Sequence, residues 1–189
     1  MGGPSIDYPD EPPFTDTEDD DWFYDAILYV YFRGLMNGMS ADTFEPQKPT
    51  TRAMLVTILY RLEGDPNPGI YDFIDMDPSQ WYGPAVSWAA NNGVGNGKFA
   101  PDDSVTREQV ATILFRYAQK KCYNTGARAD LTAYSDANSV SEYAVEALTW
   151  ANGAGIVNGK EGARLDPQGN ASRAEIATML MRFCENIVA

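Results

Sequence analysis

The sequence predicts an all-α protein made of three helix–loop–helix units that pack into one body. Three blocks of roughly 60 residues repeat the same landmarks in the same order, as repeat architectures do. Within each block, apolar residues recur at helical spacing on both sides of a loop rich in glycine and proline. Units of this size cannot bury their own apolar stripes, so we expect them to share one core. We place them at residues 14–66, 67–126 and 127–189, after an acidic, proline-rich linker at residues 1–13.

The first helix of each unit is predicted to begin near an aromatic residue and to end at a glycine. In the first unit, Ala26, Ile27 and Val30 supply the apolar face at helical spacing. A glycine at the end accepts the left-handed conformation of a C-cap. The predicted starts are Trp22, Trp81 and Tyr143, and the predicted ends are Gly34, Gly93 and Gly155.

The second helix of each unit is predicted to open with a hydroxyl N-cap. Thr106-x-x-Gln109 and Ser172-x-x-Glu175 have the spacing of a capping box, in which the cap and the third helical residue satisfy each other's backbone N–H groups. The first unit has Thr51 followed by Met54, so its cap is half made. The third unit is the longest, and we interpret residues 159–167 as an insertion in its loop.

Composition excludes several function classes. The chain carries 27 acidic and 14 basic residues, a net charge of −13, which opposes binding to nucleic acid or anionic bilayers. It has no histidine, which excludes Ser-His-Asp and Cys-His catalysis and histidine metal sites. No stretch of 18 apolar residues is present to cross a membrane. Cys122 and Cys184 can form one bridge or remain thiols; we favour free thiols, because neither lies in a reactive motif.

An arginine follows each cap hydroxyl, and it is the sharpest candidate for function. A cation beside the positive end of a helix dipole is unfavourable for the helix, so its repetition indicates another role. An arginine at a helix N-terminus suits a carboxylate or phosphate ligand. The alternative is that it pairs with an Asp of the same or a neighbouring unit and fixes the contact between units. These residues are Arg52, Arg107 and Arg173.

Three other repeated positions have both a structural and a ligand-binding interpretation. The aromatics Trp22, Trp81 and Tyr143 are core residues or a platform on which a sugar stacks. The aspartates Asp16, Asp75 and Asp136 form Asx-turns and caps, or accept from sugar hydroxyls. The glycines Gly38, Gly97 and Gly159 provide a turn with positive φ, or allow a ligand to approach the backbone. The acidic runs lack the Gly and Glu of an EF-hand, so we predict no metal site, and no cofactor either.

The order of these landmarks resembles the S-layer homology domain in three tandem copies. The family's marks are an aromatic-x-Asp start, a Trp at the first helix, a G-[IV]-x-x-G loop, an F-x-P turn and a T-R-A-E motif. In the first copy they stand as Phe14-Thr-Asp16, Trp22, Gly34 to Gly38, Phe44-Glu-Pro46 and Thr51-Arg-Ala-Met54. The other copies carry Phe73-Ile-Asp75, Phe99-Ala-Pro101, Thr106-Arg-Glu-Gln109, Tyr134-Ser-Asp136, Leu165-Asp-Pro167 and Ser172-Arg-Ala-Glu175.

This resemblance implies a pseudo-threefold, three-pronged helical body with binding grooves between adjacent copies. It also implies a role: such modules hold bacterial surface proteins on the cell wall by binding a secondary cell-wall polysaccharide, usually with a pyruvyl ketal on N-acetylmannosamine. The location is then extracellular, with a signal peptide outside this chain, and the module is no enzyme. Met54, Gln109, Glu108 and Tyr143 depart from the family pattern, so we expect unequal grooves. The alternative is a structural or protein-interaction module that binds little or no glycan.

Overall fold

In the computed structural model, residues 11–69, 75–92 and 99–188 are described, and their regular structure is helical. No strand occurs within these ranges, which confirms the all-α prediction. Each copy contributes two principal helices, and a short π-helical turn, Cys184–Val188, extends the last one. The six are α1 (Tyr24–Phe32), α2 (Arg52–Leu62), α3 (Gly83–Asn91), α4 (Arg107–Lys120), α5 (Val145–Gly153) and α6 (Arg173–Phe183).

The predicted helix boundaries are confirmed at both kinds of cap. Gly34 and Gly155 follow α1 and α5 with φ of 67° and 72°, the left-handed conformation that a glycine C-cap adopts. The third predicted end, Gly93, lies outside the described residues. Both predicted capping boxes are present at α4 and α6, while at α2 the Thr51 hydroxyl accepts from Met54 N–H without a reciprocal partner.

The helices pair between copies and close a ring. The second helix of each copy packs against the first helix of the next: α2 on α3, α4 on α5, and α6 back on α1. One hydrophobic cluster runs through all three copies, which confirms the expectation of a shared core. Among its fully buried side chains are Trp150 from α5 and two equivalent loop residues, Phe44 and Phe99.

A ring of three backbone hydrogen bonds lies at the centre of this arrangement. The residue before each N-cap is fully buried, and its N–H donates to the equivalent carbonyl of a neighbouring copy at 2.9 Å. Thr50 donates to Ala171, Ala171 to Val105, and Val105 to Thr50. This closed cycle is the pseudo-threefold axis of the molecule.

The interpretation of residues 159–167 as an insertion specific to the third copy is wrong. Gly38 to Pro46 and Gly159 to Pro167 have the same length, whereas Gly97 to Pro101 is four residues shorter. The two long loops also fold alike: Met39 N–H donates to Thr43 at 2.9 Å, and Lys160 N–H donates to Arg164 at 2.7 Å. The second copy therefore carries a deletion, and copies one and three share the longer loop.

Candidate functional site

The three predicted aspartates each hold the F-x-P turn of their own copy. Both carboxylate oxygens accept a backbone N–H, so Asp16 binds Phe44 and Glu45 at 2.8 and 2.7 Å. Asp75 and Asp136 make the same pair of bonds to the equivalent residues, at 2.7–3.0 Å. Each bond joins residues 24–30 positions apart, whereas Asx-turns and helix caps are local. The expectation of Asx-turns and caps is therefore wrong for these carboxylates. They clamp a turn whose middle residue has a left-handed backbone, which L-amino acids rarely adopt: Glu45, Ala100 and Asp166, with φ of 51–57°.

The predicted glycines allow close packing rather than a positive φ. Neither Gly38 nor Gly159 lies among the glycines with positive φ, so that expectation is wrong for these two. A Cβ at Gly38 would lie 2.6 Å from the Phe14 ring, and one at Gly159 would overlap the Tyr134 ring. The aromatic residue that begins each of these copies therefore rests on its own glycine. Gly97 lies outside the described residues.

The three predicted arginines join one copy to another. Each Nε donates to a carbonyl in the F-x-P turn of the following copy, at 2.6–3.0 Å. The pairs are Arg52 with Phe99, Arg107 with Leu165, and Arg173 with Phe44. Arg107 and Arg173 are buried and also bind the carbonyls of Asn158 and Asn37, both at 2.6 Å. The arginines thus join the copies, as one interpretation expected. Their partners are backbone carbonyls and, for Arg107, also the carboxylate of Glu175, rather than an Asp.

The N-termini of the second helices are also used by the fold. The first two helical N–H groups of α2 donate to Asp103 and Pro101 of the next copy, at 2.9 and 3.0 Å. The equivalent groups of α4 and α6 make the same bonds to the copy that follows each of them. These amides are therefore engaged within the fold, and an anion beside these helix starts would rely on side chains.

The predicted aromatics are exposed and not part of the core. Trp22 is 65% exposed and Trp81 60%, and Tyr143 is exposed as well. Each tryptophan stands edge-on to the buried aromatic residue that follows it, at 5.2–5.3 Å between ring centroids. A ring fixed in this way presents a flat apolar face to solvent, as sugar stacking requires.

One cavity brings together members of three predicted sets. This cavity, here the Trp22 groove, has a volume of about 560 Å³ and lies where α6 of copy three meets copy one. Trp22 of copy one, Arg107 of copy two and Gly159 of copy three all line it. Lys160, Glu175 and Arg182 also line this groove.

The lining of the Trp22 groove carries more cations than acids, unlike the chain as a whole. Its lining includes three cations, Arg107, Lys160 and Arg182, and two acids, Glu161 and Glu175, in a chain whose net charge is −13. Burial holds the pKa of Arg182 below its usual value. Burial alone would also lower the pKa of Lys160, but its bonds to Asp166 and Glu175 outweigh burial and raise it. Both side chains remain charged at neutral pH.

Glu175 is a groove residue that the sequence identified only as a helix cap. Its Oε2 accepts the Ser172 N–H of the capping box at 2.9 Å. Its Oε1 accepts from Arg107 and from Lys160, both at 3.0 Å. Lys160 was not predicted either, although its place directly after Gly159 in the loop was a signal for it. The carboxylate of Glu175 thus orders two of the three cations that line the groove.

The residues predicted around Trp81 do not form an equivalent groove among the described residues. Trp81 and Asp75 line a separate, shallow depression of about 570 Å³, together with the acids Asp77, Asp102 and Asp103, and its described lining includes no basic residue. The structure therefore does not join Trp81 and Arg173 in one cavity as it joins Trp22 and Arg107. Among the described residues, both cysteines are free, with Cys122 exposed and Cys184 buried. The same ranges contain no cluster of acidic or cysteine side chains able to hold a metal ion.

Comparison with known protein families supports the three-copy organisation. The family model described as "S-layer homology domain" matches residues 13–53, 72–111 and 133–177. These segments cover well over half of the chain. The chain belongs to the S-layer homology domain family. Such domains are binding modules and not catalytic ones. None of the helices described here is long and apolar enough to cross a membrane.

Curated relatives match the S-layer homology chain over most of its length but only a small part of their own. An amylopullulanase of Thermoanaerobacterium thermosulfurigenes is 35% identical over 88% of this chain and 9% of its own length. Exoglucanase XynX of Acetivibrio thermocellus is 32% identical over 88% of this chain and 16% of its own. A surface-layer 125 kDa protein of Lysinibacillus sphaericus is 28% identical over 87% and 14%. The chain thus spans less than a fifth of these relatives.

Proposed function

We propose that this S-layer homology module anchors a bacterial surface protein to the cell wall, without a covalent bond, by binding an anionic secondary cell-wall polysaccharide. The Trp22 groove is the observation that carries the proposal, because it combines an exposed indole with Arg107, Lys160 and Arg182. A pyruvyl ketal is a small carboxylate attached to a sugar ring. The indole suits the ring, and the cations suit the carboxylate.

The names of the relatives are consistent with an anchoring role. A surface-layer protein and two glycan-degrading enzymes share this module, although their names describe different activities. A shared, non-catalytic module is expected when several proteins use one means of attachment. The parent protein of this chain is then located at the cell surface.

The buried arginines favour a second candidate, in which the module is structural or binds a protein partner. Arg107 and Arg173 are buried, and each bonds two carbonyls of the following copy. Replacing either of them would weaken the fold together with any ligand site. A decisive binding test therefore needs groove residues that the fold does not require, and Trp22 and Lys160 meet this condition better.

The first prediction concerns calorimetric titration with pyruvylated N-acetylmannosamine disaccharide and with the same disaccharide lacking pyruvate. We expect both sugars to bind and the pyruvylated one to bind more tightly. Trp22→Ala should weaken the binding of both sugars about tenfold, because stacking on the ring is lost. Lys160→Met, which installs the residue found at the equivalent Met39, should weaken only the pyruvylated sugar, because it removes a charge and keeps the bulk.

Two controls accompany these variants. Trp22→Phe keeps an aromatic face and should restore most of the binding lost in Trp22→Ala. Lys48→Met removes a lysine outside the Trp22 groove, which pairs with the partly exposed Glu45, and should leave binding unchanged. Equal heat from both sugars would refute the pyruvyl specificity. No heat from either sugar, with the melting temperature intact, would favour the structural candidate.

A further inference from the structure

Glu108 is a buried carboxylate where the other two copies have alanine. It is the second residue of α4, and the equivalent positions are Ala53 in α2 and Ala174 in α6. Its side chain reaches across to copy three, and the residue is 4% exposed. Oε2 accepts the Ser141 N–H at 3.0 Å, and Oε1 accepts the Ser141 hydroxyl at 2.7 Å.

A second residue that differs from its equivalents in the other copies contacts this carboxylate. Tyr143 stands where Trp22 and Trp81 stand in the other copies, and its hydroxyl donates to Glu108 Oε1 at 3.0 Å. An indole at this position has no hydroxyl to donate. Burial and the bond to Glu108 raise the pKa of Tyr143 to about 12, so the hydroxyl keeps its proton at neutral pH. This hydrogen bond fixes the exposed ring of Tyr143 to the buried carboxylate of Glu108.

The Tyr143 hydroxyl, which bonds this carboxylate, lies in the field of cations equivalent to two of those in the Trp22 groove. Arg52 and Arg116 occupy the positions of Arg107 and Arg182, one copy earlier. Both act on the Tyr143 hydroxyl, where their charges oppose the increase in its pKa caused by burial and by Glu108. In the Trp22 groove an alanine occupies this position, and the carboxylate present there, Glu175, is ion-paired with Arg107 and Lys160 at 3.0 Å. The groups that bond Glu108, by contrast, are the uncharged Ser141 and Tyr143.

We propose that Glu108 determines the specificity of the Tyr143 groove, defined by Arg52, Glu108, Arg116 and Tyr143, by supplying an internal carboxylate that excludes acidic sugars. This proposal rests on the function proposed above, in which such sugars bind by their acid group. A second carboxylate in the same place is repelled by the first. It also finds three donors there, the Ser141 N–H, the Ser141 hydroxyl and the Tyr143 hydroxyl, already bonded to Glu108. Acidic glycan is therefore directed to the Trp22 groove, and the two grooves differ in their affinity for it because of Glu108.

The second prediction is a gain of function on removing the charge. In Glu108→Gln, whose amide oxygen still accepts from Ser141, and in Glu108→Ala, which copies Ala53 and Ala174, the pyruvylated disaccharide should occupy one additional site. Calorimetry should show one more equivalent bound per chain. NMR of ring-labelled tyrosine should show a shift of the Tyr143 signal, assigned with Tyr143→Phe, on addition of the sugar to either variant but not to the wild type.

Glu142→Gln is the matched control, because it removes an exposed carboxylate next to Tyr143 without touching the buried one. It should add no site. A wild-type protein whose Tyr143 signal already responds to the pyruvylated sugar would overturn the inference, and so would Glu108 variants that keep their melting temperature but gain nothing. Failure of the anchoring function has a different signature, because the wild-type protein would then give no pyruvate-dependent heat. The inference about Glu108 is judged separately, by whether the Glu108 variants bind more of the pyruvylated sugar than the wild type does.

Discussion

Thr50 carries a buried polar atom that the fold does not use. Its hydroxyl lies on the pseudo-threefold axis without a hydrogen-bond partner among the described residues, while the equivalent positions hold Val105 and Ala171. An unpaired buried hydroxyl costs free energy, and valine has nearly the same shape. Thr50→Val is therefore expected to raise the free energy of unfolding by about 1 kcal/mol, measured by denaturant titration.

Thr57→Val is the control for this change. The Thr57 hydroxyl is also buried, but it donates to the Ala53 carbonyl at 2.8 Å, so its removal should bring no gain. A loss of stability in Thr50→Val would show that the axis hydroxyl has a partner, such as an internal water.

At the residue scale, what was predictable from the sequence followed from local chemistry. The caps at Thr106 and Ser172 involve neighbours three residues away, so spacing alone predicted them. The partners of Arg52 and Arg173 lie 47 and 129 residues away, and no local pattern points to a carbonyl at that distance. The sequence also could not decide whether Trp22 is exposed, because an aromatic residue beside a helix start suits either a core or a surface.

At the scale of elements, each F-x-P turn depends on one carboxylate. In copy three, burial alone would raise the pKa of Asp136, but N–H bonds from Leu165 and Asp166 and the charge of Arg164 outweigh burial and hold it below its usual value. A carboxyl with a lowered folded-state pKa contributes stability above its unfolded pKa and loses it as pH falls through the folded value. The contribution of Asp136 is thus present at neutral pH and is lost progressively as the pH falls below about 4.

Asp136→Asn is expected to lower the free energy of unfolding at pH 7 by about 1–3 kcal/mol, because an amide accepts from only one of the two N–H groups. The difference between variant and wild type should shrink as the pH is lowered from 5 to 3, measured by denaturant titration at each pH. Glu161→Gln, an exposed change in the same copy, should show neither effect. A difference that stays constant with pH would mean that the charge of Asp136 does not contribute.

At the scale of the whole molecule, the three copies form a closed ring and not an open stack. In an open solenoid, each repeat contacts only its neighbours, and the two ends are free. Here α6 packs on α1, and Arg173 bonds the carbonyls of Phe44 and Asn37, so the last copy is joined to the first. The three-copy repeat was readable from the sequence, but ring closure was not, because it depends on which copy receives each arginine.

Closure predicts that the three axis amides are lost together. The N–H groups of Thr50, Val105 and Ala171 bond one another in a cycle and are fully buried, so each should exchange hydrogen only by global unfolding. Arg173→Gln removes two charge-assisted bonds at the junction of copies three and one, at a cost of about 3 kcal/mol. All three amides should then exchange over a hundredfold faster and by a common factor, including Val105 of copy two. Arg128→Gln, which removes an exposed pair with Glu146, should accelerate none of them. If Val105 keeps its wild-type rate in Arg173→Gln while Thr50 and Ala171 accelerate, the copies unfold one by one and the ring does not act as a single cooperative unit.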